Sequence, residues 1–424
     1  MTNVTRRRFT SAMVGLGLTG LLAPGAIARA NSAKLVVIGG GFGGATAARF
    51  AKRLLPSLSV TLVEPNKHYV ACPFSNLVVA GFRDLQQQMF TYAALSREGI
   101  TVAQDTAVAV DNEQRIVTLA GGTSLPYDRL ILAPGIDFRW GTLEGYDATA
   151  TERMPHAWKA GPQTALLRDQ LRSMDDGGVV ALSVTAAPFR CPPGPYERAS
   201  LIAAYLARHK PRSKILILDS NERFSKQPLF LKAWQEKYPA MVEWRAASND
   251  GRVTRVDPSA MRVHTDFEDI EAAVINVVPP QQAGLIAQRS GTVDASGWCP
   301  VDAMSFESML QSNIHVIGDA TIAAPMPKSA FSANVQAKVC AIAIARLMSE
   351  LEVEPTTLAN TCYSYVSPDE AISVAGVYSS ATGTFSNVPD AGGISPLQDS
   401  DGLRQREAMQ ASDWFSAITA ETFL

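Results

Sequence analysis

An α/β fold with parallel sheets is what this sequence predicts, and three observations carry it. A short apolar run, Lys34-Leu35-Val36-Val37-Ile38, leads into a glycine-rich turn and then a helical pattern. A second such run, Val179 to Val184, opens a comparable βαβ unit. A third, Ile314 to Ile317, ends in Gly318-Asp319 far downstream. Strands alternating with helical segments imply βαβ units and buried parallel strands. The expected architecture is two Rossmann-like dinucleotide-binding domains, glutathione-reductase-like in arrangement, plus a C-terminal α+β domain.

The first unit carries the most chemistry. After the strand come Gly39-Gly40-Gly41-Phe42-Gly43-Gly44, which fit GxGxxG at Gly39, Gly41 and Gly44. Ala45 to Leu55 reads as a helix stopped by Pro56, and Ser59 to Val63 as a second strand closing on Glu64. Glycines permit the tight turn and let backbone approach a pyrophosphate, and the helix N-terminus attracts its charge. An acid at the second strand end accepts from ribose hydroxyls. This strand–turn–helix–strand–acid order points to a bound dinucleotide.

Length and composition limit the rest. A chain of 424 residues exceeds one ordinary domain. Hydrophobic residues at 46% and charged residues at 18% exclude a disordered chain. A formal charge of −2 shows no basic excess, so nucleic acid is not expected as a partner. Residues 1–30 read as an export leader: Arg6-Arg7-Arg8-Phe9, an apolar stretch from Ala12 to Leu22, then Ala28-Arg29-Ala30. The paired arginines fit a twin-arginine signal, which predicts a periplasmic protein exported folded around its cofactor. The mature chain is expected to have no membrane span.

Two distant motifs specify the dinucleotide. Tyr127 to Gly135 resembles a strand-and-turn motif of flavoproteins with two dinucleotide folds, after a β-meander between Val108 and Leu125. Ile314 to Asp319 resembles their second FAD motif, in which the aspartate contacts the ribityl chain. The resemblance implies FAD, with Gly135, Gly318 and Asp319 among its ligands. It also implies a discontinuous FAD domain, residues 31–155 and 285–350. Residues 156–284 form the second Rossmann-like domain and 351–424 a C-terminal interface domain. In that second unit, Thr185 to Arg198 replaces the glycine turn with Pro188, Cys191, Pro192, Pro193 and Pro195. Proline removes the N–H groups that would hold phosphate, so NAD(P)H is disfavoured.

Five cysteines complete the picture. Cys72 follows the ribose acid, Cys191 lies in the proline loop, and Cys340 lies on the helix after Gly318-Asp319. At these residues, and at Trp298 to Asp302, Pro327 to Asn334 and Trp414 to Leu424, the chain resembles the flavoprotein subunit of flavocytochrome c sulfide dehydrogenase. The resemblance implies a thioether from Cys72 to FAD, with Ala71 and Pro73 departing from the family's usual flanks. It implies a redox disulfide between Cys191 and Cys340, with Glu197 as base, sulfide as substrate and a c-type cytochrome subunit as heterodimer partner. A Cys191–Cys340 bridge closing a loop of about 150 residues would also stabilise by roughly 5 kcal/mol, so a purely structural bridge is the rival reading. Cys299 and Cys362 are read as buried thiols or a structural pair. Lys328 and Lys338 are candidates to balance charge on reduced flavin, and Trp414-Phe415 to line the flavin or a docking face. The chain has no CxxCH and so carries no c-type haem. Alternatives are a sulfide:quinone reductase, or a redox-maintenance partner of a sulfur-oxidising system.

Overall fold

The computed structural model describes residues 33–424, so the leader read at residues 1–30 lies outside the described residues. Along the chain come β1 (Lys34–Ile38), α1 (Gly44–Leu54), β2 (Ser59–Val63), α2 (Ser75–Val79), β3 (Thr101–Ala103) and β4 (Arg129–Leu132). The next group is β5 (Val179–Val184), α3 (Gly194–His209), β6 (Lys214–Asp219), α4 (Gln227–Lys237), β7 (Val242–Arg245) and β8 (Val274–Val278). The chain ends with β9 (Ile314–Val316), α5 (Ala330–Met348), β10 (Thr357–Ser367), β11 (Glu370–Ser379) and α6 (Leu403–Phe423).

Two parallel sheets organise these elements. The first has the order β9-β4-β1-β2-β3, and the second β7-β6-β5-β8. Both centre on strands with almost no exposed residue, such as Leu35 to Ile38 and Val180 to Val184. Burial on both faces explains why these strands read as continuous apolar runs without alternation. The late strand β9 pairs with β4, so chain from beyond residue 300 completes the first sheet. Between Ala107 and Pro126 three short antiparallel strands form the expected meander.

The helices follow from residue size and capping. Ala45, Ala47, Ala48 and Ala51 on α1, and Ala333, Ala337 and Ala341 on α5, are all buried, which lets these two helices approach closely. Ser329 caps α5, its hydroxyl accepting the Ser332 N–H at 3.1 Å. Helix α3 begins at Gly194 and carries Glu197 in its first turn. Pro195 is tolerated there because first-turn N–H groups have no intrahelical acceptor.

The C-terminal segment pairs β10 with β11 as an antiparallel hairpin and lays α6 against it. Helix α6 then returns to the first unit. Thr422 Oγ1 lies 3.0 Å from Thr46 Oγ1, and Arg49 donates to the Glu421 carbonyl at 2.7 Å. Phe423 stacks on Tyr69 and meets Phe42 of the glycine turn edge-on. The last turn of the chain therefore closes the back of the glycine loop.

Candidate active site

A cavity of about 540 Å³ lies at the C-terminal ends of the first sheet. All three parts of the chain wall it: the glycine turn, Cys72 and Asp319 from the first, Arg190, Cys191 and Glu197 from the second, Cys362, Tyr365 and Trp414 from the third.

The glycine turn is fixed by the chain's own packing. A Cβ at Gly44 would sit 1.8 Å from the Gly39 carbonyl oxygen, and one at Gly39 would sit 2.3 Å from that of Ala133. Gly39 also has φ +101°, where a side chain is strained. Gly41 and Gly135 line the cavity, the latter at φ +65°. Glu64, at the end of β2, accepts the Gly40 N–H at 2.9 Å and two bonds from Asn66 at 2.9 and 2.7 Å. It holds the turn and faces the cavity at once.

Gly318 and Asp319 follow β9. Gly318 has φ +77° and donates its N–H to Gln336 on α5 at 2.7 Å. Burial pushes the Asp319 carboxyl up, against the pull of Arg190 and Lys328. Arg190 lies 3.7 Å from Asp319 and also donates to the Trp158 carbonyl. Lys328 donates to the Asp319 carbonyl at 2.9 Å and lies 3.8 Å from the Trp298 ring centre.

Among the described residues, three buried polar atoms of residues on this wall have no partner: Asp319 Oδ1, Trp158 Nε1 and Trp414 Nε1. An unmade buried hydrogen bond costs about 1–3 kcal/mol, so such atoms mark where a polar ligand belongs. An acceptor beside a glycine cradle, with two indole donors on the same wall, fits a polyhydroxylated chain carrying a heteroaromatic ring. The residues fit FAD.

The sulfurs are arranged differently from the sequence expectation. Cys72 lies half-buried on the cavity wall, its Sγ 3.9 Å from the Trp158 carbonyl. Cys191 also faces the cavity, at φ +56°, with its N–H donated to the Lys328 carbonyl at 2.9 Å. Cys340 is not on the wall. It is fully buried on α5, and the charges that bear on it are Glu307 and Arg129. The third cavity thiol is Cys362 of β10, whose Sγ accepts from Asn360 Nδ2 at 3.3 Å. A helix rises about 1.5 Å per residue, so Cys340 stands ~15 Å along α5 from the end at Ala330 that touches the cavity. All five cysteines are free thiols, and Cys299 is buried beside Thr292, away from Cys362.

Glu197 is on the wall, in the first turn of α3. It accepts from Asn76 Nδ2 at 2.7 Å and from the Tyr365 N–H at 2.9 Å. Burial raises its carboxyl above the usual range, against those two bonds and the cations Lys226 and Arg198. Burial also pushes the Cys191 thiol up, with Glu197 and Cys362 adding to it and Arg190 and Lys226 opposing.

The second βαβ unit has no room for a nucleotide. Asp219, at the ribose-acid position of β6, accepts from Tyr196 at 2.6 Å, Trp244 at 2.9 Å and Asn221 at 2.8 Å. Tyr196 stacks on Phe224 at 3.7 Å, and Phe230, Trp234 and Trp244 continue that aromatic cluster. Side chains occupy the acid and the surface that a nicotinamide dinucleotide would need.

Arg190, Arg198 and Lys226 escape sequence reading, since single basic residues carry no spacing signal. Lys338 is not at the site: it pairs with Glu421 at 2.7 Å. Trp414 does line the cavity, while Phe415 is buried against Phe74.

Family models match three stretches of the chain. Residues 164–279 match the central region of the sulfide dehydrogenase [flavocytochrome c] flavoprotein chain. Residues 354–423 match the flavocytochrome c sulphide dehydrogenase flavin-binding model, and 33–163 the pyridine nucleotide-disulphide oxidoreductase model. A flavocytochrome c sulfide dehydrogenase flavoprotein chain of Chlorobaculum thiosulfatiphilum is 60% identical over 45 residues, 11% of this chain and 94% of that sequence. A mitochondrial sulfide:quinone oxidoreductase of Mus musculus is 23% identical over 331 residues, 73% of this chain and 69% of its own length. In fold, the chain is similar to the sulfide:quinone oxidoreductase of Aquifex aeolicus, with a TM-score of 0.73, 16% identity and 92% of each chain covered.

Proposed function

Because this chain belongs to the flavocytochrome c sulfide dehydrogenase flavoprotein family, we propose that it oxidises sulfide through a redox pair formed by Cys191 and Cys362, with FAD in the cavity that both line. It is a flavin-dependent oxidoreductase acting on sulfide. The observation that carries the sulfur pair is that two thiols 171 positions apart in sequence wall one cavity, each close enough for Cys362 to raise Cys191.

The residues divide the work. Gly39, Gly41 and the N-terminus of α1 receive the pyrophosphate, Glu64 the ribose, and Asp319 the ribityl hydroxyls. Cys72 provides the thioether to the cofactor, as the resemblance implies. FAD, when bound, supplies the acceptor for two electrons. In the oxidised protein Cys191 and Cys362 form a disulfide. Hydrosulfide attacks one sulfur, a new S–S bond forms and the old one breaks. One cysteine becomes a persulfide and the other a thiolate, so sulfide loses two electrons and the pair gains them. Glu197, whose raised carboxyl readily holds a proton, takes the one released from the persulfide.

The chain acts in the periplasm, exported by the twin-arginine leader, and passes electrons to a c-type cytochrome subunit. Among the described residues no helix is long and apolar enough to cross a membrane. The filled nucleotide surface of the second unit supports sulfide, not NAD(P)H, as donor. Anaerobic addition of sulfide to the purified holoprotein tests the reading: the flavin absorbance should bleach, and return on addition of cytochrome c but not of a soluble quinone. Bleaching by NADH and none by sulfide would reverse the assignment.

A further inference from the structure

Lys226 combines three features that oppose a lysine. It is 4% exposed, so its charge is desolvated. It stands immediately before α4, where the helix dipole repels a cation. It has φ +62°, a conformation that costs a residue with a Cβ. Together these place its ammonium against β10, where it donates to the Cys362 carbonyl at 2.9 Å and to Ser364 Oγ at 2.8 Å.

Acid groups surround it on every packed element: Cys362 from β10, Glu197 from α3, Cys191 from the proline loop and Glu407 from α6. Two other cations reach this region, and their donors are engaged elsewhere. Arg190 is held by Asp319 and the Trp158 carbonyl. Arg198 donates to Asn76, Asn276 and the carbonyls of His156 and Ala157. Only Lys226 among the three is anchored on the strand that carries Cys362.

We propose that Lys226 is a positioning residue of the sulfur pair, its ammonium fixed on β10 to hold the negative charge that Cys191 and Cys362 acquire when their disulfide is reduced. The proposal rests on the sulfur pair assigned above and deepens it. Breaking the disulfide with hydrosulfide leaves one thiolate in a buried site. Without a nearby cation that thiolate would take a proton and lose its capacity to donate electrons. Burial pulls Lys226 down to about 8 against the opposing pull of the acids around it, so it remains charged in neutral solution while Glu197 exchanges the proton.

The test uses holoprotein whose cysteines are reduced with a phosphine. Alkylation of Cys191 by iodoacetamide is followed from pH 6 to 10 by peptide mass mapping in the parent, Lys226→Met and Ser364→Ala. Thiolate fraction sets that rate, and one pH unit is a tenfold change. Lys226→Met should slow Cys191 alkylation about tenfold at pH 8 and move the profile up by about one unit. Ser364→Ala removes one anchor while keeping every charge and should give a smaller upward shift, and it decides the matter if Lys226→Met does not fold. Profiles superimposable on the parent's would overturn the proposal. No sulfide is present, so this outcome is separate from failure of sulfide to bleach the parent's flavin, which would overturn the functional reading alone.

Discussion

Glu197 accepts the backbone N–H of Tyr365 at 2.9 Å, and this bond ties the helix after Cys191 to the strand carrying Cys362. The same carboxylate accepts from Asn76 on α2, which follows Cys72 by one turn. One acid therefore joins the three segments that bring sulfur to the cavity. Its raised carboxyl follows from burial, which the two donors and the cations around it only partly offset. A group so placed sets geometry and carries protons with the same atoms.

The sulfur assignment separates by substitution. Cys191→Ser and Cys362→Ser should each lower sulfide-dependent flavin bleaching at least a hundredfold, with the FAD spectrum retained. Cys340→Ser should keep at least half the parent rate, because Cys340 is sealed inside the helix layer. Stopped-flow absorbance in the flavin band measures all three. A hundredfold loss in Cys340→Ser with Cys362→Ser near the parent rate would return the pairing to the helix cysteine.

How much of this was legible in the sequence depends on the range of the signal. The strands Lys34 to Ile38 and Val179 to Val184, the glycine turn, Glu64 and Gly318-Asp319 are all local patterns, and they stand where local reasoning puts them. The resemblance implies Cys340 as the partner of Cys191, and its place soon after the flavin motif along the chain agrees with that. Chain distance misleads there: α5 carries Cys340 away from the cavity, whereas β10 returns Cys362 to it. The available signal was the short polar and aromatic stretch from Asn360 to Tyr365, which supplies cavity walls. Lys226, Arg190 and Arg198 derive their meaning from burial, which single residues do not announce.

The orphaned Asp319 oxygen gives a prediction on cofactor affinity. Asp319→Ala removes the acceptor that FAD would satisfy and leaves Arg190 without its carboxylate. A lost hydrogen bond to a charged group is worth about 1.5–3 kcal/mol, so in a Cys72→Ser background, where FAD exchanges freely, its affinity should fall roughly 10- to 100-fold. Fluorescence quenching on titration with FAD reports it. Unchanged affinity would mean that the cofactor does not reach Asp319.

Cys72 is tested by its chemistry. A thioether survives denaturation, so acid-precipitated parent protein should keep its yellow colour and gain the mass of one FAD on the Cys72 peptide. Cys72→Ser should bind FAD in the native state and release it into the acid supernatant. The two results together distinguish attachment from binding, since the glycine cradle and Asp319 remain in the variant. FAD found on another peptide, or free in the parent supernatant, would remove Cys72 from that role.

Two buried histidines make stability depend on pH. Burial, with Arg198 and Lys159 nearby, holds His156 down to about 3, and burial holds His315 down to about 4. Their folded values lie below the ordinary 6.5, so the neutral forms stabilise the fold. That contribution is complete above pH 6.5 and is lost as pH falls toward the folded values. Each histidine contributes a slope of at most ~1.4 kcal/mol per pH unit in that window. For His156 the cause is also geometric: its Nδ1 accepts the Trp158 N–H at 2.9 Å, and a proton there would break the bond that sets a cavity wall. The raised carboxyls Glu197 and Asp319 act with the opposite sign, so a paired comparison isolates the histidine. His156→Asn keeps an acceptor and cannot titrate. Between pH 6.5 and 5 its urea midpoint should decline less than the parent's. Parallel declines in the two proteins would show that His156 does not couple protonation to the cavity.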